Sequence, residues 1–150
     1  MLKIQAKEII GGDLSATTKM PCKSFNLPAW ECKTGSKLSK VKGSSCYDCY
    51  AKKGNYTRFP SVKKAQYKRL GQLFNPAWVD AMVSLIESEV KRINEPIFRW
   101  HDAGDIQNIN HLKNIVAVAN KTPGVKHWIP TQENKMVNDF IISKNISTKW

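Results

Sequence analysis

The stretch 97-IFRWHDAGDIQNINHLKNIVAVANKTPGVKHWIP-130 decides how this chain folds. Ile97 to Trp100 is a short buried-strand pattern, and HDAGD is a polar loop with a glycine turn. Ile109, Leu112, Ile115, Val116 and Ala119 then recur at helical spacing, and Thr122-Pro123-Gly124 ends the run. Val125 to Pro130 reads as a second strand, followed by the polar Thr131-Gln132-Glu133-Asn134. A strand, a helix and a strand in immediate succession predict parallel strands joined by a right-handed crossover.

Upstream of that unit, Asn75-Pro76 offers a helix start, with Asn as cap and Pro at the first helical position. Trp78, Met82, Leu85, Ile86, Val90 and Ile93 keep one apolar face. Val62, Ala65, Leu70, Leu73 and Phe74 predict a helix over 61–74. Downstream, Met136, Val137, Phe140 and Ile141 mark a last helix. Residues 2–10, LKIQAKEII, alternate loosely and predict a first strand ended by Gly11-Gly12. The expected fold class is α/β, a small parallel sheet with crossover helices, in one domain over 1–150 with a long cysteine-bearing loop at 13–57. Ligands of such folds sit beyond the carboxyl ends of the strands. Those ends carry His101, Asp102, Asp105 and Gln107 after one strand and Thr131, Gln132 and Glu133 after the next.

No apolar run approaches the ~20 residues of a membrane span, and MLKIQAKEII lacks the apolar core of a signal peptide. A chain that is neither inserted nor exported stays in a reducing compartment, where clustered cysteines bind metals or do redox chemistry more often than they form disulfides. The net charge of +12 is uneven. Residues 1–75 hold 15 Lys and Arg against 4 Asp and Glu, or +11; residues 76–150 hold 9 against 8, or +1. The excess travels with the cysteine segment and suits nucleic acid, an acidic redox partner or a negatively charged cluster. It equally suits a lysine-rich solvated surface. Only Arg58 and Arg69 among the 15 are arginine, which argues against base-specific readout.

The loop 13–57 holds all four cysteines: Cys22, Cys32, and the pair 46-CYDC-49. A CxxC pair brings two thiolates to one metal from a single turn, and two distant cysteines complete four ligands. Tetrahedral zinc and a cubane iron–sulfur cluster both accept that set. Nearby Gly35, Gly43, Gly54, Trp30, Tyr47 and Tyr50 suit a shielded cluster, and the lysines stabilise either group, so cluster and zinc both stay open. A redox dithiol at Cys46 and Cys49, buried apolar cysteines at 22 and 32, or disulfides are the alternatives. If only three cysteines bind, His101 is the first substitute ligand. His101 and Asp102 read as an acid–base pair at a strand end or as structural residues. Asp105 reads as a cap of the next helix, His111 as a surface residue and His127 as packed in its strand. Trp100 and Trp128, in matching strand positions, read as core, and Tyr47, Tyr50 and Tyr56 as loop cover or base-stacking platforms.

Four phrases together carry a resemblance: 18-TKMPCKSFNLPAWECKTG-35, 41-VKGSSCYDCYAKKGNY-56, 98-FRWHDAGDIQN-108 and 127-HWIPTQENK-135. They resemble the gene-product-88 family of bacteriophage proteins over roughly 16–137. The resemblance implies a phage protein acting in the cytoplasm of the infected bacterium. It extends distantly to radical S-adenosylmethionine (SAM) enzymes, which implies a truncated βα barrel. By that likeness Cys22, Cys32, Cys46 and Cys49 are ligands of a [4Fe–4S] cluster, and His101, Asp102, Gly104 and Asp105 lie where such enzymes hold a ligand's amino group. Those enzymes carry CxxxCxxC and leave one iron open for SAM. Here Cys46 and Cys49 are the only close pair, and four cysteine ligands leave no iron open. Three functions follow as expectations: an iron–sulfur protein for electron transfer, redox sensing or structure; a zinc module with a basic nucleic-acid-binding face; and a reduced radical-SAM-like enzyme.

Overall fold

The structure, a computed structural model, describes residues 1–144; the last six residues of the expected domain, 145–150, lie outside the described residues. Three parallel strands form one sheet in the order β1-β2-β3: β1 (Ser24–Phe25), β2 (Ile97–Trp100) and β3 (Lys126–Trp128). Seven helices accompany them: α1 (Lys3–Ile10), α2 (Lys33–Leu38), α3 (Asn55–Arg58), α4 (Pro60–Gln72), α5 (Trp78–Ile93), α6 (Ile109–Lys121) and α7 (Asn134–Ser143). The expected α/β class and parallel sheet are present, and α6 is the crossover between β2 and β3.

The expected first strand is instead α1. Ala6 and Ile10, four apart, are fully buried, while Leu2 and Ile4, which made the alternation, are exposed. The Leu2 N–H donates to the Gln5 side chain at 3.3 Å, and the N–H groups of Gly11 and Gly12 close the last turn on Glu8 and Lys7. Gly11 sits at φ +87°, and a Cβ there would lie 2.8 Å from the Lys68 backbone, so the residue serves both the helix end and the approach of α4. The true first strand, β1, lies inside the loop and has two residues, too few for any period. Its Ser24 makes an antiparallel bridge with Ser15.

The helix α5 supplies the core face that its periodicity predicts: Trp78, Ala81, Met82, Leu85 and Ile86 are buried. Asn75 caps its approach by accepting from the Ala77 N–H at 3.0 Å, but Pro76 stays in the turn rather than at the first helical position. Phe25, Trp78, Phe98 and Trp100 pack edge to face at the centre. The register pairs Phe25 with Trp100 and Arg99 with Trp128. Side chains alternate faces along a strand, so Trp100 and Trp128 point to opposite faces. Trp128 is therefore not core; it is 55% exposed, with the Arg99 guanidinium 4.8 Å from its ring centroid.

All three strands run toward one edge, and the loops that leave it are tied together. The His101 N–H donates to the Phe25 carbonyl and the Leu27 N–H to the Ala103 carbonyl, which continues the β1–β2 pairing past the strands. Gly104 is at φ +83°, and a Cβ there would meet Leu27 Cβ at 2.6 Å; the HDAGD turn can lie on β1's exit only because that side chain is absent.

Candidate metal centre at the carboxyl edge of the sheet

Two segments deliver cysteines to this edge. After β1, Pro28 leads into a single 3-10 turn (Ala29–Glu31), and Cys32 caps the start of α2. Gly35, one turn on, is buried beneath it: a Cβ would stand 3.1 Å from Cys32 Cβ and 3.4 Å from Cys46 Sγ. The bare glycine admits the close approach of Cys32 Cβ, while the Cys46 thiol lies beside it at ordinary contact distance. Asp48, at φ +73°, turns the chain between Cys46 and Cys49, and a second 3-10 turn (Tyr50–Lys52) follows. Cys32, Cys46 and Cys49 thereby border one cavity of about 250 Å³, together with Arg99, His101, Asp102, Gly104, Asp105, Thr131 and Gln132.

Cys22 does not join them. It precedes β1 while the other three follow it, so a parallel strand separates them, and Cys22 lies buried in another cavity among Met20, Ile97, Arg99 and Trp128. The cysteines are thus arranged three and one. Burial pushes the Cys32 thiol up to about 12, helped by Asp105 and the neighbouring thiols Cys49 and Cys46, and burial also raises Cys46. Cys32 and Cys46 held this way resist ionising unless a cation replaces their protons. The chemistry of the donor set and the glycine cradle both fit a thiophilic metal group. Among the described residues, no three His, Cys, Asp or Glu side chains are gathered so as to hold a single ion.

The acidic loop after β2 is structural as well as site-facing. The buried Asp105 accepts from Thr131 Oγ1 (2.5 Å), from the Gln132 N–H (2.8 Å) and from the Ile106 N–H (2.7 Å). It joins the β2 and β3 loops and does not cap α6, whose cap is Asn108, accepting from the His111 N–H at 2.9 Å. Asp102 is 2% exposed. Its carboxylate accepts from Ser24 Oγ, from Tyr56 OH at 2.9 Å and from Asn26 Nδ2 at 3.3 Å. Tyr50 OH donates to the Asp102 carbonyl. Two tyrosines expected as loop cover or base platforms are therefore the ties that hold the CxxC segment to β2. Further ties run from the Thr34 N–H to Glu133 (3.0 Å) and from Gln132 Nε2 to Ser45 Oγ (2.8 Å).

His101 has φ +56°, is 3% exposed, and neither ring nitrogen has a hydrogen-bond partner. Burial holds it well below the ordinary imidazole range, so it is neutral at pH 7. Its ring lies 5.4 Å from that of His111, which is fully buried and not on the surface as expected. His127 is packed as expected: its Nδ1 accepts from Trp100 Nε1 at 3.1 Å. The residues that sequence reasoning missed are Ser24, Asn26 and Arg69 around Asp102. Arg69 is buried on the inner face of α4 and donates to Asn26 Oδ1 (2.5 Å) and the Asp13 carbonyl (2.8 Å). An arginine at the tenth position of an otherwise lysine-bearing helix was the one available signal.

The model of the family described as gene product 88 matches residues 2–148, nearly the whole chain. This chain belongs to the gene product 88 family. No curated protein and no solved structure matches it. The gene product 88 match spans both cysteine segments and both strand-end loops, so every element of the edge described above falls within the family's extent. Among the described residues no helix is long and apolar enough to cross a membrane.

Proposed function

We propose that this gene product 88 protein carries a [4Fe–4S] cluster on the thiolates of Cys32, Cys46 and Cys49, and that it acts as a phage protein in the cytoplasm of the infected bacterium. The observation that carries the reading is the meeting of three cysteines, from two separate segments, at one cavity on the carboxyl edge of a parallel sheet. A four-cysteine site requires Cys22, which lies on the far side of β1. Three thiolates leave one iron of a cubane without a cysteine. That favours a cluster that binds a small ligand over an all-cysteine electron carrier. The facing wall then has a use: Asp102 and Asp105 are buried acceptors, and Thr131 and Gln132 supply hydroxyl and amide groups. SAM is the ligand that the radical-SAM likeness implies. When bound, a cluster of this kind exchanges single electrons at a potential set by its charge and surroundings. Arg99 and Lys52 near the thiols favour its net negative charge.

One feature supports a cluster over a single zinc: among the described residues no three His, Cys, Asp or Glu side chains are gathered around one point. Zinc holds thiolates at about 2.3 Å and draws them around one point, whereas here the thiols stand around a cavity of about 250 Å³. One observation favours the zinc reading: His101 borders the same cavity with both ring nitrogens unpartnered, and Cys3His is a zinc ligand set. The exposed Lys37, Lys40 and Lys42, between Cys32 and Cys46, offer a basic approach for an acidic redox partner or for nucleic acid. Anaerobically purified protein tests the reading. Iron with acid-labile sulfide and a broad band near ~400 nm support the cluster; one zinc without colour supports Cys3His. Formation of 5′-deoxyadenosine from SAM by the reduced protein tests the ligand.

A further inference from the structure

On the other side of Asp102 lies a second and larger cavity, about 540 Å³, with no cysteine in its wall. We propose that it is a binding site for a small polar molecule bearing an oxyanion, a phosphate ester or a carboxylate, seated against Arg69. Five residues with hydroxyl groups, Ser15, Thr17, Thr18, Tyr56 and Ser61, border it beside apolar surface. Val62, Ala65 and Arg69 line one side from successive turns of α4, whose first turn contributes Ser61 and holds no acidic residue.

Arg69 decides the ligand class. The side chain is 7% exposed, and its two terminal nitrogens donate to neutral oxygens, Asn26 Oδ1 and the Asp13 carbonyl. Its Nε has no partner, and neither has the buried Oγ1 of Thr17. A buried guanidinium with no carboxylate bonded to it, its Nε–H unpartnered among the described residues and only the nearby charges of Asp102 and Asp13 to balance it, is costly unless an acceptor arrives. Asp102 does not satisfy it directly: that carboxylate is already held by Ser24, Asn26 and Tyr56. Asn26 stands between the two, donating to Asp102 and accepting from Arg69. The volume falls in the range of small-molecule sites, and the hydroxyl-bearing residues around it suit a ligand with several polar groups beyond its anion.

The inference does not rest on the cluster, because the cavity shares only Asp102 with the thiol site. The test is calorimetric titration of the full chain with inorganic phosphate, adenosine monophosphate and glutamate, alongside Ala65→Leu, which fills the cavity, and Arg69→Lys. Iron, sulfide and zinc content and unfolding temperature are measured for each. The expected result is saturable binding of at least one probe in the millimolar range or tighter, weakened at least ~10-fold by both variants, with metal content unchanged. Phosphate binding alone indicates an ester ligand and glutamate binding alone a carboxylate. Failure of all three probes to saturate at ~10 mM, or binding that both variants leave intact and salt removes, as for surface lysines, overturns it.

Discussion

Gly35 and His111 are two residues whose full roles emerge only from the packing around them. Gly35 lies inside α2, where alanine ordinarily favours a helix by about 1 kcal/mol. Its missing Cβ is the space into which Cys32 Cβ approaches, beside the Cys46 thiol. Gly35→Ala is therefore predicted to lower metal occupancy while leaving the unfolding temperature of the metal-free protein unchanged or higher; full occupancy in the variant contradicts the cradle. His111 is fully buried, and burial lowers it to about 4, below its unfolded value near 6.5. Between those values the unfolded chain binds a proton that the folded chain refuses. The stabilisation is present above about 6.5 and is lost as pH falls toward 4, with a slope approaching about 1.4 kcal/mol per pH unit and a total on the order of 3 kcal/mol. His101 and His127, also lowered, add to the same direction. Denaturant titrations at several pH values check this, and His111→Leu flattens the slope.

The elements divide by length and by what their inner faces hold. Long α5 and α6 were legible because their buried residues are apolar and recur at helical spacing. Strand β2 was legible because HDAGD punctuates it. Short elements defeated the pattern: α2 and α3 lie in or beside the stretch expected as loop, and two others misled more directly. The eight residues of α1 alternate by accident, with exposed Ile4 mimicking a strand position. Two-residue β1 has no period at all. A third, α4, was found as a helix with its face only in part: Leu70 and Leu73 pack into the core as expected, but the structure also buries Gln66 and Arg69 and exposes Phe74. Polar side chains turned inward are a property of the site, and hydrophobic periodicity is blind to them. The same holds for Asp105, whose bonds reach from the β2 loop to the β3 loop rather than to a helix end. Asp105→Asn keeps one acceptor oxygen and loses the other, so it should cost about 1–3 kcal/mol. It should also speed hydrogen exchange at the Gln132 amide. A merely local cap would leave that amide unaffected.

At the scale of the molecule, strand order alone indicates which loops share the carboxyl edge of the sheet. Parallel strands send their exits to one edge, so His101, Asp102, Gly104, Asp105, Thr131 and Gln132 could be placed there from topology alone, and the structure places them at one cavity. The grouping of the cysteines was beyond reach, because it depends on which side of β1 each one falls. That strand is only two residues long, yet Cys22 before it and the other three after it border different cavities. The charge asymmetry falls on the same half as the thiols. In the proposed function three cysteines, and not four, hold the metal group. Iron, sulfide and zinc per chain, measured after anaerobic purification for the wild type and for each single Cys→Ala variant, test it most directly. The account predicts about four iron and four sulfide in the wild type and in Cys22→Ala, and loss of most of both in Cys32→Ala, Cys46→Ala and Cys49→Ala. Loss of the cluster in Cys22→Ala, or a wild-type protein with zinc and no iron, would contradict it.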